Sequence, residues 1–429
     1  MKEIRGEVEI SAEAIKEAER IEKVIDYTNA TERASKKNIT EFLDIILVGG
    51  IKIGTSDIHI EAEEDRARLR IRLDGILNDI LFFERKIYQK ILSRIKLLAQ
   101  LKINIDQRPQ DGRFTIKLGG NLIEIRASTI PTEYGESIVF RILNPENLIA
   151  VEQLGLRADI AETLEKEISK PNGMIIVTGP TGSGKTTTLY AFLKKINNPD
   201  VKIITIEDPI EYHLIGINQT QVDPKQGYTF AAGLRSIVRQ DPDVILVGEI
   251  RDLETAEIAL QAALTGHLVF STMHTNDAAG TIARFVSLGE KPNNIAPALN
   301  LAIAQRLMRR VCKKCFQLID MPKEEEKEVR AVLEKLPREK KKIDLSKPLK
   351  MAEPKGCEYC NFSGYKGRVG IYEVLQNNDQ IENTILSNPS INELRKKAIE
   401  NGMITLREDG LIKIIQYITT LKELNRVTK

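Results

Sequence analysis

An α/β fold built on a parallel sheet, preceded by a smaller α+β domain, is the fold class this sequence predicts. Three observations carry it. Between about residues 156 and 300 the short apolar runs MIIVT, VKIITI, VILVG and LVFST alternate with helix-length segments, as a parallel sheet covered on both faces requires. A glycine-rich turn, GPTGSGKT at residues 179–186, sits where the first of those runs hands over to a helix. The stretch 41–145 has a different rhythm: in RARLRIRLDGIL, Leu69, Ile71 and Leu73 share one face and arginines the other, the period-two pattern of a half-buried strand.

Taken in order, the chain divides into six segments. Residues 1–40 are polar, helix-prone and poor in apolar side chains, and are expected to form a loosely attached lead-in. Residues 41–145 combine an apolar helix over 41–54, a second helix over 84–102 and strands containing RFTIKL and LIEIRAST. Residues 146–155 carry turn and polar residues suited to a linker. The strand–helix alternation then occupies 156–305. A cysteine-bearing module is expected over 306–365, with an amphipathic helix near 322–341, and a helical region over 366–429.

Composition narrows the function classes. A chain of 429 residues exceeds one hydrophobic core and calls for two to four domains. Its 63 basic and 61 acidic residues leave a formal charge of +2, without the basic excess of a protein that coats nucleic acid. No run of about 18 apolar residues occurs, and the N-terminus, MKEIRGEVEISAEAIKEAER, has no hydrophobic signal core. These features read as a cytoplasmic protein whose membrane association, if any, comes through partners.

Gly179, Pro180, Thr181, Gly182, Ser183, Gly184, Lys185 and Thr186 fit the Walker A pattern, with Thr187 next. In that pattern glycines let backbone N–H groups wrap a polyphosphate, as in ATP; the lysine reaches the β and γ phosphates and the threonine holds Mg²⁺. Hydrolysis needs more: a polarised water and cations over the γ-phosphate. VILVGEIRD ends an apolar strand in Glu249, the candidate for polarising water. Its predecessor is Gly248, where many P-loop enzymes carry aspartate. ITIEDPIEY places Glu207, Asp208 and Glu211 at another strand end, and GHLVFSTMHTNDA brackets a third strand with His267 and His274. Strand C-termini of a parallel sheet are where site groups collect. His274 there could sense a γ-phosphate or simply pack.

Cys312, Cys315, Cys357 and Cys360 form two C-x-x-C pairs and are the chain's only cysteines. Two such turns can close a tetrahedral Zn²⁺ site whose four sulfur ligands leave no open position, so the metal would be structural. Redox-active or incidental cysteines are the alternative.

Together GPTGSGKTTTLY, ITIEDPIEY, QDPDVILVGEIRD and LTGHLVFSTMHTNDA resemble the secretion ATPase superfamily, specifically the type II secretion and type IV pilus assembly ATPases. SDIHIE, RPQDGR and LREDGL outside the strand–helix core match as well, so the resemblance covers about residues 40 to 429. It implies a RecA-like P-loop ATPase domain, a PAS-like smaller domain and a homohexamer working against an inner-membrane platform protein. Nucleic acid is not an expected partner. Lys185 is implied in phosphate binding and Glu249 in catalysis. Arg126 (in EIRAST) and Arg141 (in VFRIL) are implied to meet the nucleotide phosphates from the smaller domain, and Arg235, Arg239 and Arg251 to line the site. Assembly ATPases of this group carry a tetracysteine module; retraction ATPases generally do not. Members usually have a further N-terminal domain that contacts the membrane-associated partner. Here about 40 residues precede the shared region, which reads as a short form or a trimmed chain. Two other readings stand beside this one: a nucleic-acid translocase, and a nucleotide-gated scaffold that hardly turns over.

Overall fold

The computed structural model describes residues 7–336 and 344–428, in two compact units: one comprises Met1–Asn147 with Lys355–Lys366, the other Leu148–Pro354 with Gly367–Lys429.

The first unit runs β1 (Glu7–Glu9), α1 (Ala12–Glu19), α2 (Val24–Ser35), α3 (Ile39–Lys52), β2 (Asp57–Ala62), β3 (Arg66–Leu73), β4 (Ile76–Glu84), α4 (Arg85–Leu98), β5 (Gln110–Leu118), β6 (Asn121–Thr132) and β7 (Gly135–Leu143). Its seven strands pair in the order β1-β5-β6-β7-β2-β3-β4. Alternation decides which face of β3 goes inward: Leu69 and Ile71 are fully buried, while Arg68 turns outward and makes a two-pronged contact with Asp79 at 2.8 and 2.7 Å. α3 is apolar almost all round, and Phe42 to Ile51 are buried along it, as befits a central helix.

The expectation of a loosely attached lead-in over 1–40 is corrected. Few apolar residues occur there, but those of α1, α2 and the turn between them go inward: Ala14, Ala18, Ile21, Tyr27, Ala30 and Ala34 all enter the core beside α3. Small residues let the helices approach closely, and the Tyr27 hydroxyl donates to the Ile46 carbonyl oxygen at 2.8 Å, so no buried polar atom is stranded there.

The second unit continues with α5 (Ala158–Ile168), β8 (Gly173–Thr178), α6 (Lys185–Ile196), β9 (Ile203–Glu207), β10 (Asn218–Gln221), α7 (Phe230–Val238), β11 (Val244–Val247), α8 (Leu253–Leu264), β12 (Leu268–Met273), α9 (Ala279–Leu288), α10 (Pro292–Ala298), β13 (Leu299–Val311), β14 (Phe316–Asp320), α11 (Lys323–Lys335), β15 (Lys350–Pro354) and β16 (Tyr365–Gln376). Four helices close the chain: α12 (Asp379–Leu386), α13 (Ile391–Glu400), α14 (Leu406–Ile415) and α15 (Leu421–Thr428). The large sheet has the order β10-β9-β11-β12-β8-β13-β16, and its pairs from β10 to β13 are parallel. Every residue of β8, β9, β11 and β12 is buried. Two hydrophobic clusters cover the faces, one around Ile176, Leu260 and Phe285, the other around Val177, Phe192 and Phe270.

Two further expectations are corrected. Residues 366–429 are not helical throughout, because β16 takes the sheet edge; YKGRVGIYEVLQ is rich in aromatic and β-branched residues that suit a pleated surface. The segment expected as a linker over 146–155 forms short 3₁₀ turns, and Leu154 is buried in the second unit. α11 ends at Lys335, and the end of the helix expected over 322–341 lies outside the described residues.

A buried charge cluster fixes the C-terminal helices. Asp409 of the LREDGL segment accepts from Arg157 (2.7 Å), from Lys413 and from the Tyr372 N–H (2.9 Å). Burial by itself would raise its pKa, yet the Lys413 and Arg157 charges hold the carboxyl below its usual range.

Candidate nucleotide site

The parallel register brings the C-terminal ends of β8, β11 and β12 side by side, the place where α/β sheets bind ligands. β8 delivers the glycine-rich loop. Gly179 and Gly184 adopt φ of 149° and 88°, which strains any side chain at either position, and at Gly179 a Cβ would also lie 2.5 Å from the Gln305 carbonyl oxygen. Gly184 caps α6 without any side-chain hydrogen bond, which leaves the first-turn N–H groups of α6 for an anionic ligand. The Ser183 hydroxyl inside the loop is buried and, among the described residues, has no partner. A phosphate chain suits this cradle of glycines, open N–H groups and an ammonium. Thr186, on the first turn of α6, is the hydroxyl available to Mg²⁺.

Lys185 donates to the carbonyl oxygens of Gly179 (2.8 Å) and Pro180 (3.2 Å). Burial lowers its pKa, opposed by the Glu249 carboxylate. Glu249 follows β11; it contacts Arg251, and one of its oxygens lies 3.7 Å from His274 Nε2. His274, directly after β12, has a pKa below the usual histidine value through burial and the Lys185 charge. Glu249, Arg251 and His274 line one cavity of about 360 Å³ with Ile250 and Arg284. A buried network sets the height of this wall: the Thr178 hydroxyl accepts from the Thr275 N–H at 2.8 Å, tying the strand before the loop to the turn after His274.

The other expected residues stand elsewhere. Glu207 does not open onto the cavity: it is buried at the end of β9, its carboxylate taken by Tyr190, Thr205 and Gln219, and burial raises its pKa. That makes it a positioning group for the sheet end, not a group exposed to substrate. Arg235 pairs with Glu254 at 2.7 Å, and Arg239 folds back on the Arg235 carbonyl oxygen at 3.0 Å. Neither lines the cavity. Arg126 and Arg141 belong to the first unit, directly opposite each other on β6 and β7; Arg126 contacts Glu124 at 3.2 Å and Arg141 contacts Asp57 at 3.1 Å. Sequence reasoning missed Arg284 and Arg306. The Arg306 charge acts on Lys185, and its guanidinium donates to the Asn276 carbonyl oxygen at 3.2 Å. Both sit in ordinary amphipathic stretches, so no local pattern marks them.

The glycine at 248 has a physical reason. A Cβ there would come within 3.3 Å of both Glu207 Cα and the Ile206 carbonyl oxygen, and backbone atoms cannot swing aside. Gly248→Ala is therefore expected to cost about 1–3 kcal/mol of stability and to disturb Glu249 next to it. Denaturant melts of the two proteins check this; unchanged midpoints would show that the strand end has room.

The Sγ atoms of all four cysteines lie within 4.8 Å of one another. Cys357 and Cys360 are 3.8 Å apart, the separation expected of two sulfurs on one tetrahedral zinc with Zn–S bonds of about 2.3 Å. N–H groups of Cys357 and Gly364 point at the Cys360 sulfur at 3.2 and 3.3 Å, which favours a thiolate. Metal analysis of freshly purified, reduced protein is expected to find one Zn²⁺ per chain. Cys357→Ser should lower that content and loosen this module without altering nucleotide binding. Protein that is well folded and free of zinc overturns the assignment.

Residues 32–426 match the family model described as "Type II/IV secretion system protein". The chain is 44% identical over 392 residues to the type II secretion system ATPase E of Vibrio cholerae, covering 91% of this chain and 75% of that one. It is 42% identical over 403 residues to the type IV pilus assembly ATPase PilB of Pseudomonas aeruginosa, covering 94% and 69%. Among solved structures, the pilus retraction motor PilT with bound ADP aligns at a TM-score of 0.59 and 29% identity, over 89% of this chain and 95% of that one. The Legionella pneumophila ATPase DotB shares the fold at a TM-score of 0.64 and 22% identity.

Proposed function

The chain belongs to the type II/IV secretion system protein family, and from that premise we propose that it is an ATP-hydrolysing motor that powers assembly of a type II secretion pseudopilus or a type IV pilus. The observation that carries this reading is the cavity lined by Glu249, Arg251 and His274 at the end of a parallel sheet, with the Lys185 charge of the glycine-rich loop acting on both Glu249 and His274. Lys185 and the N-terminus of α6 hold the β and γ phosphates. Thr186 would hold Mg²⁺, which would supply positive charge to the phosphate chain. Glu249 orients and polarises the attacking water, and Arg251 beside it keeps its carboxylate turned toward the cavity. His274 stays neutral near pH 7, because burial and the Lys185 charge disfavour its protonation, and it reads the γ-phosphate as a hydrogen-bond partner. Arg126 and Arg141 bring the extra guanidinium charge that a phosphoryl transition state needs.

The cysteine cluster supports the assembly reading over retraction. A homohexameric ring acting on an inner-membrane platform protein is the form of the machine we infer. No helix among the described residues is long and apolar enough to cross a membrane, so the membrane side of the work falls to that partner. Phosphate release by purified protein, read with light scattering for ring size, tests both parts. Turnover that rises only when nucleic acid is added would instead support a translocase; nucleotide binding with no turnover would support a scaffold.

A further inference from the structure

α4 is a helix of one charge sign. Its fourteen residues, RKIYQKILSRIKLL, include five basic side chains and no carboxylate. Two of the five are already engaged: Arg85 donates to the carbonyl oxygens of Glu63 (2.9 Å), Glu64 (2.7 Å) and Tyr134 (2.6 Å), and Lys96 is buried, ion-paired with Glu136 and donating to the Ile105 carbonyl oxygen at 2.7 Å. Tyr88, Ile91 and Ile95 bury the inner face. On the outer face Lys86, Lys90 and Arg94 follow one another at successive helical turns, all three exposed, so the stripe is about 12 Å long. Like charges one turn apart destabilise a helix. Among the described residues none of the three makes an ion pair to offset this. The Arg94 charge is felt at Asp44, whose carboxylate is already engaged by the Ser11 N–H.

This stripe is one wall of a groove of about 610 Å³ whose other wall is the first turn of α3, with Ile39 and Thr40. Leu97, 57% exposed, continues the α4 wall as an apolar surface. No carboxylate lines the groove.

From this juxtaposition we propose that the α3–α4 groove docks an acidic, amphipathic segment of a partner protein, entering as a helix with carboxylates one turn apart and an apolar edge. Cations spaced by one helical turn match glutamates at i, i+4 and i+8 on the incoming helix, and Leu97 and Ile39 receive its apolar side. Cations along one side and the exposed Leu97 at the end of the same wall match an amphipathic segment that carries carboxylates beside apolar side chains. The surface lies wholly in the first unit and uses none of the groups assigned to the nucleotide site.

The test uses the full chain and a fluorescent 15-residue helical peptide with glutamate at every fourth position and leucines along the adjacent edge. Fluorescence anisotropy should show binding that weakens as salt screens the charges. Lys86→Glu/Lys90→Glu/Arg94→Glu should weaken it by tenfold or more while basal ATPase activity stays unchanged; a triple glutamine variant serves if charge reversal impairs folding. A peptide with glutamine for glutamate should not bind. The proposal is overturned if wild-type protein ignores the acidic peptide, or if the variants bind it equally well. It is also overturned if the three cations matter only for co-sedimentation with phosphatidylglycerol vesicles, or if the variants change the oligomeric state, which would assign the stripe to a membrane surface or to a second copy of the chain.

Discussion

Lys185→Ala is expected to abolish nucleotide binding or nearly so, whereas Glu249→Gln is expected to bind nucleotide normally and to lose hydrolysis by a factor of about 10² or more. The two residues act on different states. Lys185 sits in the loop with its ammonium between the Gly179 and Pro180 carbonyl oxygens, so its charge meets phosphates already in the ground state. Glu249 faces the cavity beside His274, where a carboxylate acts on water and matters mainly in the transition state. Glutamine keeps the size of the side chain and removes the charge that accepts a proton. Nucleotide titration and single-turnover hydrolysis separate the two effects. Equal turnover for wild type and Glu249→Gln removes Glu249 from the catalytic role.

Arg126→Ala and Arg141→Ala should each reduce turnover by at least about tenfold, since a phosphate-contacting arginine is worth up to several powers of ten in such sites. Folding and zinc content should be unaffected. The two side chains are cross-strand neighbours on one face of their sheet, where like charges repel, and each has a carboxylate beside it, Glu124 and Asp57 respectively. These arginines lie in the smaller unit, so a turnover that depends on them would make that unit part of the hydrolytic cycle. A fragment of about residues 156–429 should then bind nucleotide and turn over as poorly as the mutants. If that fragment hydrolyses ATP as fast as the full chain, the coupling is wrong.

Much of the second unit was legible because its signals are local. A strand buried on both faces reads as an unbroken apolar run, and β8, β9, β11 and β12 each occupy one. The phosphate loop is written in consecutive residues, since its backbone conformation depends on glycines at fixed offsets. The cysteine pairs are likewise local turns, although their closeness is a tertiary fact.

What the sequence by itself determined is therefore the parallel α/β core, the phosphate loop with Lys185, and the strand-end placement of Glu249 and His274, because short-range periodicity and loop chemistry specify them. Only the tertiary structure decided the rest. Residues 1–40 read as polar because a handful of alanines, one isoleucine and one tyrosine suffice to seat two helices against α3. Glu207 looked like a site group until hydrogen bonds from Tyr190, Thr205 and Gln219 enclosed it. Arg284 and Arg306 reach the site from an amphipathic helix and a strand extension. In each case the deciding partner is distant in the chain or unmarked by any motif, and burial is set by how the elements pack, which no local pattern records.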